Sequence, residues 1–248
     1  MDHLADRSLD IPRQLLGCVR GRRERGIEIA VSDPTLTVER GLERRGASLV
    51  IGIDEVGRGA LAGPVAVGLC VIRASRRAPI PAGLRDSKML SESARERIAP
   101  LAAEWALDSA VGLASPQEVD ELGIIACLGL AAKRGLGLLY GRGVDVAGSV
   151  ILLDGSHDWL APALSTPLNV VTRVKADRDC ASVAAASVVA KVHRDRLMID
   201  RHVDTPHYGW NSNKGYGSTV HMEAIASHGA SDFHRRSWLK ESALVSTP

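Results

Sequence analysis

Aromatic side chains are scarce in this 248-residue chain: four Trp, three Tyr and one Phe. Proteins that hold single-stranded nucleic acid by stacking bases need a platform of such rings, and eight make a poor one. Net charge is small as well, +2 from 31 basic and 29 acidic residues. That argues against gripping nucleic acid by bulk electrostatics. Any contact with nucleic acid must then rest on a few well-placed groups. The four cysteines, Cys18, Cys70, Cys127 and Cys180, lie far apart with no C-x-x-C pair. This spacing argues against structural zinc and a disulfide framework, and for a reducing interior. The longest apolar runs, 59–72 (broken by Pro64) and 122–132, fall short of the roughly 18 residues a membrane span needs. No basic-then-apolar leader opens the sequence. The expectation is a soluble, cytoplasmic protein with no membrane partner.

What is present is an ordinary globular composition, 45% hydrophobic and 24% charged, which excludes disorder of the whole chain. The length closes one large hydrophobic core. Residues 1–46 read as an N-terminal extension, partly flexible, with a basic cluster at Arg20, Arg22, Arg23 and Arg25 that suits a solvated surface. Ser32-Asp33-Pro34 predicts a short helix running through Arg45. Strands are expected at 48–54, 64–73, 105–114, 150–154 and 169–175. Ser91 should cap a helix over 91–103 that Pro100 shortens or kinks. Ser115-Pro116-Gln117-Glu118 should start another, running to about Lys133, with Gly135, Gly137, Gly141 and Gly143 obscuring its end. A long Ala/Val-rich helix spans 180–201, a loop 206–217 and a short helix 218–228. This order predicts an α/β domain with a mixed sheet over 47–240, followed by a tail at 241–248.

Acidic residues end the apolar strands: Asp54 and Glu55 the first, Asp154 the fourth, and Asp177 just after the fifth. Acids at strand ends converge on one rim of a sheet. Neighbours on a regular strand point to opposite faces, so Asp54 and Glu55 share a site only if the strand ends or bends there. Val56-Gly57 is suited to that bend. Four carboxylates together would repel one another and raise their pKa values; hard divalent cations, Mg²⁺ or Mn²⁺, resolve the conflict. Next comes Gly57-Arg58-Gly59, where glycine lets backbone N–H groups approach a ligand. No G-x-x-x-x-G-K-[ST] phosphate loop occurs.

With these residues in hand, the sequence resembles the ribonuclease HII family. IGIDEVGRGALAGPVAVG is similar to its opening motif, and LRDSKMLS (84–91) to its D-S-K segment. VDELGI (119–124) resembles its Asp-Glu helix start, and ILLDG (151–155) its third-acid strand. Residues 174–198 resemble its fourth-acid helix. HYGWNSNKGYGS (207–218) and HGASDFHRRSW (228–238) resemble its tyrosine loop and closing signature. The likeness runs in the family's order over about 48–240.

The resemblance implies a ribonuclease H-like mixed sheet flanked by helices, with a helical C-terminal part. It implies an endonuclease that hydrolyses RNA in RNA–DNA hybrids and nicks on the 5′ side of single ribonucleotides in duplex DNA, leaving 3′-hydroxyl and 5′-phosphate ends. The family's metal ligands fall on Asp54, Glu55, Asp154 and Asp177, holding two Mg²⁺ or Mn²⁺ ions during catalysis. Its 2′-hydroxyl-reading loop falls on Gly57, Arg58 and Gly59, and its sugar-packing tyrosine on Tyr216. Arg58 and Lys88 are expected on flanking phosphates. Ser187 and Lys191, four apart on one helix face, are candidates for the same task, although Lys191 also suits a pair with Asp195. His234-Arg235-Arg236 would add a basic surface; the other histidines suit surface or structural places.

The departures are Met89 for a second lysine, Ala176 for glycine and Ser218 for threonine. A monomer is expected, and the sequence leaves open whether the protein contacts the replication machinery. The sister hybrid-specific class carries an extra N-terminal domain, for which 53 residues before Asp54 are too few. A non-catalytic hybrid-binding module on the same fold would have lost one or more acids, and all four are here.

Overall fold

The computed structural model describes residues 33–240; the basic cluster at 20–25 and the tail at 241–248 lie outside them. Five strands form one sheet in the order β3-β2-β1-β4-β5. They are β1 (Val50–Val56), β2 (Val65–Ile72), β3 (Asp108–Ala114), β4 (Val150–Asp154) and β5 (Asn169–Arg173). β1 and β2 pair antiparallel, as do β2 and β3, whereas β4 runs parallel to both β1 and β5. The sheet is mixed, as expected.

The helices are α1 (Thr37–Arg44), α2 (Glu92–Trp105), α3 (Pro116–Leu122), α4 (Ile124–Gly141), α5 (Ala176–Asp179), α6 (Ala181–Asp204), α7 (Trp210–Asn213) and α8 (Thr219–His228). One face of the sheet packs on α4. There Ile51, Ile53, Val67, Leu69, Ile151 and Leu153 meet Cys127, Leu128, Ala131 and Leu139, all buried. The other face packs on α6 through Val50, Leu152, Val183 and Ala181, with Leu36 and Leu42 from around α1. Each large aliphatic side chain so buried contributes about 1.5–3 kcal/mol, which is why the two central strands are apolar on both faces.

α6 approaches closely because β1 and β2 present glycine to it. A Cβ on Gly52 would overlap the Ser182 backbone, and one on Gly68 the Ala186 carbonyl. The glycines of α4 act likewise. Gly135 sits against Leu69, so the helix runs on to Gly141 where glycine had suggested an earlier end. Tertiary packing here outweighs helix propensity. With 18 residues α4 is long and apolar enough to cross a membrane, a length the unbroken apolar run 122–132 did not reveal. In this fold its buried side is the core of the domain.

Other boundaries moved for local reasons. α1 begins at Thr37 because Thr35 pairs in a β-bridge with Cys180, keeping Pro34 outside the helix. Gly123, at φ 79°, divides the helix expected from Ser115 into α3 and α4, and Ser115 closes a full capping box with Glu118. Pro100 lies inside α2 on the exposed side, where water can serve the carbonyl it leaves unpaired. The expected loop 206–217 contains α7. Cys70, Cys127 and Cys180 are each buried and free. Residues 33–46 are fastened to the domain: buried Glu39 accepts from the Ser182 backbone N–H at 3.0 Å and its hydroxyl at 2.8 Å, at the start of α6.

Candidate active site

Strand register builds the acidic rim. Ile53 pairs with Leu153, so Asp54 and Asp154 follow on adjacent parallel strands. By alternation both share a face with Gly52 and Leu152, the side covered by α6. α5 then brings Asp177 to the same side, where its backbone N–H donates to Asp154 Oδ1 at 3.2 Å. Asp54 is 3% and Asp177 8% exposed.

Glu55 is placed differently. β1 continues regularly through Val56 and turns only at Gly57, at φ 81°. Alternation therefore puts Glu55 on the opposite face, at the strand's edge, 3.6 Å from Arg58. From there its carboxylate still acts on Asp54 and feels Asp154 and Lys88.

Electrostatics mark the rim as short of positive charge. Burial, then the neighbouring Glu55, pushes the Asp54 carboxyl well above the usual carboxylate range. Burial also raises Glu55 and Asp154, the latter pushed further by Asp177. One ammonium answers them. Lys88 Nζ lies 3.2 Å from Asp177 Oδ2. Burial works to lower it, but Asp54, Asp86 and Asp177 together lift it above its ordinary value. Among the described residues, no three carboxylate, imidazole or thiol groups close on one point as they stand. The donors nevertheless fit a hard divalent cation: all are carboxylate oxygens, mutually repelling, and already drawn around a mobile point charge.

Lys88 is aimed by its turn. Asp86 caps a single 3₁₀ turn by accepting from the Lys88 N–H at 3.1 Å. Ser187 is spent beneath that turn, donating to Ser87 Oγ at 2.8 Å and accepting from the Ser87 N–H at 3.3 Å. At 1% exposure it supports Lys88 and does not face a phosphate, contrary to the expectation from sequence. Lys191 holds Asp195 at 2.7 Å and lies 5.8 Å from the centre of the Tyr216 ring, so pairing prevailed over a free phosphate contact. Ala176 is buried and helical; the left-handed residue is Lys175 before it, at φ 61°, so Asp177 is reached without glycine at 176. Ser218 does the work of a threonine, its hydroxyl accepting from the His221 N–H at the start of α8. Nothing in the structure explains Met89, which is exposed.

Beside the rim lies the loop 57–63. Its carbonyls point inward onto two fully buried guanidinium groups. Arg235 donates to the carbonyls of Gly57 (2.7 Å), Arg58 (2.9 Å) and Gly63 (3.1 Å). Arg194 donates to those of Pro64, Ala62 and Lys214 at 2.8–2.9 Å. Burial lowers both, Arg235 to about 10. Sequence reasoning placed Arg235 on a basic surface; the 0% exposure corrects that, and no local signal distinguishes it from Arg236. The N–H groups of Arg58 and Gly59 donate to no acceptor among the described residues, so these donors of the loop are unspent. The Tyr216 loop is joined to it. Leu61 N–H donates to the Gly215 carbonyl at 2.8 Å, so close that a Cβ on Gly215 would overlap the Ala62 carbonyl.

Residues 51–241 match the model of the family described as "Ribonuclease HII". The chain belongs to the ribonuclease HII family. The ribonuclease HII of Streptomyces avermitilis is 44% identical over 212 residues, 85% of this chain and 86% of that protein. Among solved structures, the ribonuclease H2 from Pyrococcus horikoshii OT3 superposes with a TM-score of 0.64 at 27% identity, covering 79% of this chain and 95% of that one. Bst-RNase HIII in complex with Mn²⁺ gives 0.60 at 26% identity over 74% and 62%. As a member of the ribonuclease HII family the chain is an endonuclease that acts on the RNA of RNA–DNA hybrids, with divalent metal ions.

Proposed function

We propose that this ribonuclease nicks on the 5′ side of a ribonucleotide in duplex DNA, including a single one, leaving 3′-hydroxyl and 5′-phosphate ends. The observation that carries the reading is the junction of an under-neutralised acidic rim with a loop whose Arg58 and Gly59 N–H groups are unspent. Asp54, Asp154 and Asp177 would hold two divalent ions, Mg²⁺ or Mn²⁺, with Glu55 turning in from the strand edge. When bound, such ions lower the pKa of a coordinated water and stabilise the departing oxygen.

The chain's own residues do the rest. Lys88, exposed along most of its side chain, is free to exchange Asp177 for a substrate phosphate as cations arrive. Arg58 has the same choice between Glu55 and a phosphate. Such contacts position the strand without reading sequence. The N–H groups of Arg58 and Gly59 test for the 2′-hydroxyl, the group that separates RNA from DNA at one position. Tyr216, half-buried above Arg194, packs on the following sugar, where a second 2′-hydroxyl would be crowded.

The test is a DNA duplex with one ribonucleotide, incubated with Mg²⁺ or Mn²⁺. A single nick on its 5′ side is expected. Equal cutting after the ribose is replaced by deoxyribose would refute the reading.

A further inference from the structure

Two buried histidines outside the rim form a chain that ends on Tyr216. The Trp210 indole N–H donates to His221 Nε2 at 3.0 Å. His221 Nε2 lies 3.0 Å from His234 Nε2, and His234 Nδ1 lies 3.0 Å from the Ser231 backbone N–H. At the other end His221 Nδ1 lies 2.9 Å from the Tyr216 carbonyl. His221 and His234 are 0% and 1% exposed.

The donors at the two ends decide both rings. An indole N–H and a backbone N–H can only donate. His221 Nε2 must therefore accept, leaving its proton on Nδ1, where the Tyr216 carbonyl is the acceptor. His234 Nδ1 must also accept, leaving its proton on Nε2 to be given to His221. Neutral imidazoles in one tautomer each fit this pattern, with the lone pair of His221 Nε2 shared between the Trp210 and His234 N–H groups. Burial lowers the pKa of both, consistent with that state.

We propose that His221 is a positioning residue for sugar recognition: through its Nδ1–H it sets the Tyr216 backbone, and His234, carried by the C-terminal segment, holds it in the tautomer that does so. The proposal rests on the reading of Tyr216 given above. The same segment reaches the other recognition loop, since Arg235 N–H donates to the Leu61 carbonyl and Gly63 N–H to that of Phe233. One short stretch of chain thus registers both loops against each other.

Two variants of similar size separate positioning from simple core filling. The Asn side chain places its amide near the former Nδ1 and can still donate to Tyr216; the Gln side chain places it near Nε2 and cannot. Cutting of a single-ribonucleotide duplex is compared with cutting of a uniform RNA–DNA hybrid, and folding is checked by thermal melting. Tyr216→Ala and His221→Gln should each lower that ratio, about tenfold for one lost hydrogen bond. His221→Asn should stay within about twofold of the parent. If His221→Gln folds and keeps the ratio while Tyr216→Ala loses it, the positioning role is refuted and Tyr216 keeps its own. If Tyr216→Ala leaves the ratio unchanged, the sugar reading falls, and the proposal with it. Should the Gln variant not fold, ¹⁵N spectra of the unmodified protein decide: protonation at His221 Nε2 or His234 Nδ1 at neutral pH overturns the proposal.

Discussion

At the acidic rim, three carboxyls are held above their usual range by burial and by one another, and only Lys88, with Arg58 beside Glu55, offsets them. A few residues along, Arg194 and Arg235 are just as buried and repel each other, yet six carbonyl contacts surround them. The two regions share one end of the sheet and follow opposite plans. The rim keeps an electrostatic deficit that a divalent cation removes, so it gains most from what it binds. The carbonyls of the loop 57–63 are satisfied within the protein, so its shape is set before any substrate arrives. Stability is given up at the rim and retained in the loop beside it.

The largest effect should follow removal of charge from the rim. Asp54→Asn is expected to lower cutting by on the order of 10³-fold or more, as the loss of a central ligand and its charge requires. It should also raise the melting temperature of the metal-free protein, because a repelled, desolvated carboxylate has gone. Activity assays and metal-free melting check both; a lowered melting temperature would break the contrast between the regions.

Next comes Arg235→Gln, which leaves buried carbonyls of the loop without donors. A loss of about 3 kcal/mol or more is expected in denaturant unfolding. A change of under about 1 kcal/mol would show that the loop does not depend on Arg235.

A third test sets the regions against each other by pH. Burial, then His221, holds His234 at about 4, against 6.5 for a free imidazole. Between those values the unfolded chain binds the extra proton, so this contribution to stability is lost as pH falls through that window, about 3 kcal/mol in all. The rim acids act in the other direction: their raised values mean that the folded chain holds protons more tightly, so their repulsion fades as pH falls. Unfolding free energies from pH 7 to 4 should fall more steeply in Asp54→Asn and less steeply in His234→Asn. Parallel curves would refute the assignment.

The smallest effect is expected at Glu39. Burial raises its pKa, and its Oε2 has no partner among the described residues. Glu39→Gln keeps an acceptor for Ser182 and removes a buried charge, so stability should stay level or rise by up to about 1 kcal/mol. Cutting should be unchanged. A large loss in either measure would mean that the ionised carboxylate at the start of α6 is needed.

Much of the rim was legible because strands announce themselves by apolar runs, and the acids stand where those runs end. Asp54, Asp154 and Asp177 came together on the α6 face. Glu55 was legible as a neighbour but not as a residue of the opposite face, since only the paired strand shows where its regular course stops. Ser187 looked available from its helix spacing; its burial depends on a turn 100 residues away. The glycines of α4 looked like breaks until their contacts with the sheet gave them a reason.

Composition, strand periodicity and the motifs were sufficient for the mixed α/β fold, the acidic residues and the family, because each is written locally in the chain. The scarcity of aromatics also gains a meaning: Tyr216 lies over Arg194 beside the loop 57–63 and Trp210 donates to a buried histidine, so neither belongs to a stacking platform. The roles of Arg194, Arg235, His221 and His234 came from folding alone. A guanidinium becomes a loop support, and an imidazole a fixed donor, only when residues up to 178 positions apart exclude water together and supply the partners it lost.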